Sequence, residues 1–158
     1  MTSEPTLPSE AFVWVWLPEA NEPVVAGVLT RQGTRFVFNY GRSYLDRTDA
    51  IPLYAPELPL RAGSFSLLPS LTMPSCIRDA SPDAWGRRVL INQHLGLKGS
   101  VADGFELDEL TYLLASGSDR VGAMDFQASP LRYVARHAQE ASLAALQTAA
   151  EKVDRGLP

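Results

Sequence analysis

Closely spaced prolines in the first half of the chain most constrain its fold. Between residues 41 and 74, prolines occupy positions 52, 56, 59, 69 and 74. Because each proline fixes φ and lacks a backbone N–H, so dense a run excludes a regular helix or a central strand. The sequence therefore predicts extended, looping chain here, with short edge strands at most, for instance at residues 51–54.

Three segments before this region have the pattern of β-strands. Residues 12–17 and 34–40 alternate aromatic with other side chains, residues 24–31 are rich in valine, and Gln32-Gly33 indicates a tight turn. These features predict an antiparallel meander. Alternation predicts that its aromatic-lined side comprises Phe12, Trp14 and Trp16 of the first strand with Phe36, Phe38 and Tyr40 of the third.

The second half of the chain begins with a predicted helix. Ser81 followed by Pro82 is typical of a helix start, with a hydroxyl N-cap and proline at the first helical position. We expect this helix to end near Leu95, with Trp85 and Val89 facing the core and the arginines mostly outside that stripe.

A second helix is predicted at residues 107–116, with Gly117 in a left-handed conformation at its end and a strand at residues 121–126. The expected fold class is α+β, a small antiparallel sheet with two or three packed helices. We expect a flexible tail at residues 1–10, one domain at residues 11–127, and a linker with a last helix at residues 128–158. At 158 residues, such a chain can fold on apolar burial alone.

One loop has the glycine spacing of a phosphate-binding loop, between Gly117 and Gly122. Ala123 and Met124 follow where such a loop requires Gly-Lys-Ser/Thr, and here a helix leads into a strand, the reverse of a phosphate cradle. The favoured interpretation is therefore a helix-to-strand connection in which both glycines are structural.

Other catalytic or metal sites find little support. His94 and His137 are the only histidines, and neither has a cysteine or acidic pair nearby at ligand spacing. Cys76 could pair with a histidine as a nucleophile, but a lone cysteine is usually a packing residue. We expect no catalytic residue, no metal and no cofactor.

The net charge of −4 weighs against a nucleic-acid binder, because phosphate contacts need a basic face. The aromatic residues of the meander are then better interpreted as core or as a protein-docking surface than as a platform for single-stranded nucleic acid. Charged side chains beside helix and loop ends are solvated by default, with helix caps, ion pairs and partner contacts as alternatives. The candidate partner contacts are Arg87, Arg88, Asp119 and Arg120.

Four segments together resemble a known family. After the opening meander come Ile51-Pro52-Leu53, Leu58-Pro59-Leu60, Pro82-Asp83 leading into an arginine-bearing helix, and the helix-turn-strand sequence from Leu113 to Ala123. In this order, over roughly residues 13–126, they are similar to the N-terminal domain of HipA-family toxins, bacterial serine/threonine kinases that pair with a DNA-binding antitoxin.

The resemblance implies a noncatalytic α+β lobe that packs against a kinase core. The family's ATP loop, catalytic aspartate with its asparagine, and magnesium-binding aspartate have no counterpart in this sequence, so we expect no enzyme activity from this chain alone. It would be a regulatory subunit, or a fragment of a longer kinase toxin, that binds a HipA-like kinase core beside a helix-turn-helix antitoxin. No direct nucleic-acid contact is expected.

Two alternatives come from other classes, a stand-alone nucleotide-binding protein or enzyme and a single-stranded nucleic-acid module. The single cysteine fits a reducing compartment, the first ten residues do not form a signal peptide, and no apolar run is long enough for a bilayer. We therefore expect a cytoplasmic protein.

Overall fold

A computed structural model describes residues 8–95, 108–116 and 123–135. Its elements in chain order are strands β1 (Glu10–Val15), β2 (Val24–Gln32) and β3 (Arg35–Tyr40), helices α1 (Arg42–Leu45), α2 (Ser75–Ala80), α3 (Ala84–Leu95) and α4 (Glu109–Ala115), and strand β4 (Met124–Gln127). The predicted α+β fold is confirmed. The described residues contain four helices where two or three were expected, because α1 and α2 are too short for a helical pattern to identify.

The described residues form two compact units. The sheet unit comprises residues 8–80 and 123–134, with the four strands, α1 and α2. The helical unit contains α3 and α4. Within the described residues, no helix is both long and apolar enough to cross a membrane.

The sheet is antiparallel, with strand order β3-β2-β1-β4. The predicted turn between β2 and β3 is a two-residue loop in which Gly33 has φ +62° and Gln32 pairs with Arg35. A bulge between Val13 and Trp14 interrupts the pairing of β1 with β2. The meander predicted from alternation is thus present, and β4 returns to pair with β1.

The strand register corrects the prediction of one aromatic-lined side. Val13 pairs with Gly27, which pairs with Tyr40, so these three residues lie on one face of the sheet. Phe12 and Trp14 lie on the opposite face, because side chains alternate along a strand. Aromatic residues from β1 and β3 therefore do not form a continuous platform, and Phe36, Phe38 and Tyr40 are all buried in the core.

Two buried tyrosines fix the proline-rich chain against this core face. The Tyr40 hydroxyl donates to Leu58 O (2.6 Å) and accepts from Leu53 N (2.9 Å). The Tyr44 hydroxyl bonds Ile51 O (2.6 Å) and Ile51 N (3.2 Å). Helix α1 corrects the prediction that residues 41–74 contain no helix, and it forms because it precedes the first of these prolines, Pro52. Apart from an isolated bridge between Tyr54 and Leu58, residues 51–60 contain no regular element, as the proline spacing predicts. Their conformation is set by hydroxyl groups of the core.

The N-terminus of α2 is held by Glu57, from the same loop. The Glu57 carboxylate accepts from the Ser75 backbone N–H (3.2 Å) and from the Ser75 hydroxyl. It thereby satisfies an amide that the six-residue helix cannot pair internally. Ile77 of α2 is fully buried, so the cap fixes a helix that contributes to the core.

The boundaries of the helical unit differ from the prediction. Residues 75–80 already form α2, so Ser81 and Pro82 lie in the connection between two helices. α3 begins instead at Ala84, where the Asp83 carboxylate accepts from the Gly86 N–H (2.8 Å) and supplies a charged cap. The prediction that Ser81 caps this helix is therefore wrong. Asp108 caps α4 in the same way, accepting from Leu110 N (3.2 Å).

Candidate interaction site

The helical unit is built around Arg87 of α3. Its guanidinium forms a two-pronged ion pair with Glu109 of α4, at 3.0 Å for each of two N–O contacts. It also donates to the Ser81 hydroxyl (3.1 Å) and to Pro82 O (3.1 Å). The guanidinium lies 4.3 Å from the centre of the Tyr112 ring. One side chain thus joins α3, α4 and the residues before α3.

Charge and burial oppose each other at this guanidinium. Burial lowers the pKa of Arg87, but the hydrogen bonds and the negative charge of Glu109 outweigh it, so the pKa is raised above its usual value. Arg87 therefore stays charged at every pH at which the protein is folded. Both partners remain a quarter to a third exposed, so the solvent weakens the ion pair relative to a fully buried one.

The face of α3 that carries Arg87 is the packed face. Leu90 and Ile91, three and four residues further on, are buried with Tyr112 of α4, and Ala115 packs against them. The spacing of Trp85 and Val89 predicts the opposite phase, with Trp85 inward and Arg87 mostly outside. Apolar residues occur all around α3, so their spacing does not define its face, and Glu109 lies 22 residues away, beyond the reach of a local pattern.

Trp85 consequently lies on the outer face of α3. Its side chain is 56% exposed, which contradicts the prediction that it faces the core. Arg88, one helical turn later, is also exposed, and residues three apart lie on the same side of a helix. Tryptophan and arginine are both enriched among the residues that dominate binding energy at protein interfaces.

The remaining predicted site residues lie outside the described part of the chain. They are the candidate contacts Asp119 and Arg120 and the structural glycines Gly117 and Gly122. The connection between these two glycines, His137 and the last helix expected within residues 128–158 lie outside it as well. Of the four candidate contacts, the structure therefore places two, Arg87 with its guanidinium bonded internally and Arg88 at the surface.

The sheet unit carries a second exposed apolar region, which no local sequence pattern predicts. An open cavity of about 580 Å³ lies between the turn at residues 54–57 and the segment at residues 66–71. Tyr54 and Leu68 on its walls are 44% and 67% exposed. The polar groups in its lining include Glu57 and Ser75, and these already bond each other.

Groups suited to chemistry are sparse in the described residues. They contain no cluster of three histidine, cysteine or acidic residues that could hold a metal ion. Burial, followed by the charge of Glu57, raises the pKa of the Cys76 thiol to about 11. A thiol that stays protonated near neutral pH is a poor nucleophile.

A comparison with protein families gives a clear result. The model of the HipA N-terminal domain matches residues 15–127, which is more than half of the chain and includes all four strands in whole or in part, α1 to α4, and both exposed regions described above. Among curated proteins, no sequence matches. The chain belongs to the HipA N-terminal domain family.

Proposed function

We propose that this chain is a noncatalytic accessory lobe of a HipA-like toxin–antitoxin system and acts by docking onto a kinase core. The exposed Trp85 on α3 carries the proposal. Membership of the HipA N-terminal domain family supports the context, because that domain is not the catalytic region of the kinase. The sequence also contains no phosphate loop with its lysine.

The outer face of α3 has the chemistry of a docking surface. Tryptophan and arginine are the residue types that most often dominate binding energy, because each combines a large contact area with a directional polar group. Trp85 and Arg88 project from a helix whose other face is fixed by Arg87 and Tyr112. A rigid helix loses little conformational entropy on binding, which favours affinity.

The partner in this proposal is the kinase core of the same system, alone or with its helix-turn-helix antitoxin. Such a core could be encoded separately or follow this lobe in a longer protein. The proposal keeps Arg88 from the predicted contact set and adds Trp85. It removes Arg87, because reversing that charge would break the link between α3 and α4 and would confuse loss of binding with loss of folding.

The test is co-expression of this chain with the cognate kinase core, followed by co-purification and measurement of Kd. We expect Trp85→Ala to weaken binding by at least about thirtyfold, the effect of removing a residue worth about 2 kcal/mol. Arg88→Glu should mainly slow association, as rim charges do. Leu131→Ala, at a site 90% exposed, and Arg42→Glu, at an exposed position of α1 in the sheet unit, are the matched controls.

Three outcomes distinguish the possibilities. If both α3 variants bind as the parent does, the docking surface is elsewhere, and the region around Tyr54 and Leu68 is the next to mutate. If no kinase core binds the parent chain, the docking proposal is wrong. If calorimetry of the chain alone detects micromolar binding of Mg-ATP, the alternative of a stand-alone nucleotide-binding protein replaces it.

A further inference from the structure

The segment that follows β4 is ordered against the sheet, although the sequence predicts a linker there. We call residues 128–134 the strap. At its far end, the Gln127 side-chain amide donates to Val134 O (2.7 Å) and accepts from Val134 N (3.0 Å). The amide thus bonds both the backbone N–H and the backbone C=O of Val134, as a residue of a neighbouring strand would.

The strap covers the face of the sheet opposite the core. Tyr133 packs against Trp14 and Trp16, with ring centres 5.4 and 5.2 Å apart. At the near end, the Trp14 indole N–H donates to Ser129 O (3.2 Å). Trp14 is only 7% exposed, and its burial on this face accords with the strap lying over it.

Five of the seven strap residues are nevertheless exposed. Between its two ends, Pro130, Leu131 and Arg132 are exposed, and Val134 itself is exposed beyond its backbone bonds. The strap has no helix or strand of its own. Segments with few buried contacts open at much lower free energy than the core to which they attach.

The Gln127 side chain is itself held in place by the carboxylate of Asp125. Its side-chain nitrogen also donates to Asp125 Oδ2 (3.2 Å), and both residues are buried, Asp125 completely. The carboxylate therefore orients the amide so that its donor and acceptor face the strap. A side chain positioned in this way acts as a latch, because the sheet fixes one end and the strap occupies the other.

We propose that the strap opens and closes as a unit while the sheet stays folded, with Gln127 as its latch. The sheet unit then has two states. In the closed state Trp14 and Trp16 are covered, and in the open state both indoles reach the solvent together. The device is independent of the docking surface on α3, and its test needs no partner protein.

The experiment measures opening in the full chain by two readouts. In a Trp85→Phe background, acrylamide quenching of fluorescence reports on Trp14 and Trp16 alone. Limited trypsin digestion with mass spectrometry reports cleavage after Arg132, which requires a released strap. We expect Gln127→Ala to accelerate that cleavage about tenfold and to increase quenching, because both side-chain hydrogen bonds to Val134 are lost.

Tyr133→Ala is the second variant, since it loosens the strap without altering the sheet, and it should also speed cleavage. Leu131→Ala is the matched control in the exposed middle of the strap and should behave as the parent. The proposal is wrong if neither variant changes cleavage or quenching. It is equally wrong if both readouts change only at the urea concentration that unfolds the whole sheet unit, because the strap would then not open independently.

Discussion

Gly27 of β2 lies where two strands approach closely. A Cβ built at this position would lie 2.1 Å from Asn39 O and 2.7 Å from Phe38 Cζ, both in β3. The first neighbour is backbone, which cannot move aside without disturbing the pairing of β2 with β3. Gly27 is therefore required because a side chain does not fit there, whereas Gly33 in the hairpin turn is required because its φ is positive.

We predict that Gly27→Ala lowers the free energy of unfolding by about 3 kcal/mol, the upper end of the range for overpacked positions. Gly33→Ala is the matched control. A Cβ there meets nothing within 4 Å, but φ is +62°, so its penalty should be about 1 kcal/mol. Urea denaturation followed by circular dichroism measures both. An equal or smaller loss for Gly27→Ala would contradict the close approach of β3.

Trp85 and Arg87 show where sequence reasoning reaches its limit at single residues. Hydrophobicity assigns tryptophan to the core and arginine to the surface, and the structure reverses both. Arg87 can be partly buried because Glu109, Ser81 and Pro82 O satisfy its donors, and only tertiary structure brings these groups together. Once Arg87 lies inward, helical periodicity turns Trp85 outward.

At the scale of elements, the Arg87–Glu109 pair links α3 to α4. We predict that Arg87→Met lowers the free energy of unfolding by about 2 kcal/mol and Glu109→Gln by about 1 kcal/mol, because Arg87 also bonds Ser81 and Pro82. A double-mutant cycle should give a coupling of about 1 kcal/mol for this partly exposed pair.

Arg42→Met, at an exposed position of α1, is the control for the loss of a positive charge. It should change stability by no more than about 0.5 kcal/mol, as most exposed substitutions do. Thermal unfolding followed at 222 nm compares the four variants. A coupling of zero would mean that the ion pair does not contribute to holding the two helices together.

Elements with strong local signals were predictable, and those defined by distant partners were not. The three strands of the meander, the turn at Gly33 and the irregular proline-rich chain follow from alternation and proline geometry. Local sequence patterns do not predict helix α2, because it is only six residues long and its cap comes from Glu57, 18 residues earlier. The opposed faces of β1 and β3 depend on register, which alternation within each strand leaves open.

The whole molecule should lose stability in mild alkali. Burial raises the pKa of Cys76 from 9.0 to about 11 and also raises the pKa values of Tyr40 and Tyr44 above 10.0. The folded state therefore keeps these protons at a pH where the unfolded chain releases them. The free energy of unfolding should be constant below pH 9 with respect to these groups and should fall as pH rises above it.

Cys76→Ala isolates the contribution of the thiol. Between pH 9 and about 11 it should remove a decline on the order of 1 kcal/mol, reduced from the full shift because the thiol is partly exposed. The loss above pH 10 that comes from the two tyrosines should remain. Urea titrations at a series of pH values provide the measurement. Identical pH profiles for the parent and Cys76→Ala would show that burial does not hold the thiol protonated.

The two outer strands of the sheet have one further consequence. Phe36 N in β3 donates to Thr72 O (2.7 Å). Phe126 N in β4 donates to the side-chain oxygen Oδ1 of the preceding residue, Asp125 (2.8 Å). These two edge amides, which could otherwise pair with a foreign strand, are thus already bonded. At high concentration the folded protein should resist growth into cross-β aggregates at these positions. A partner that recognises the sheet at these two positions would have to contact side chains, because both amides are already bonded.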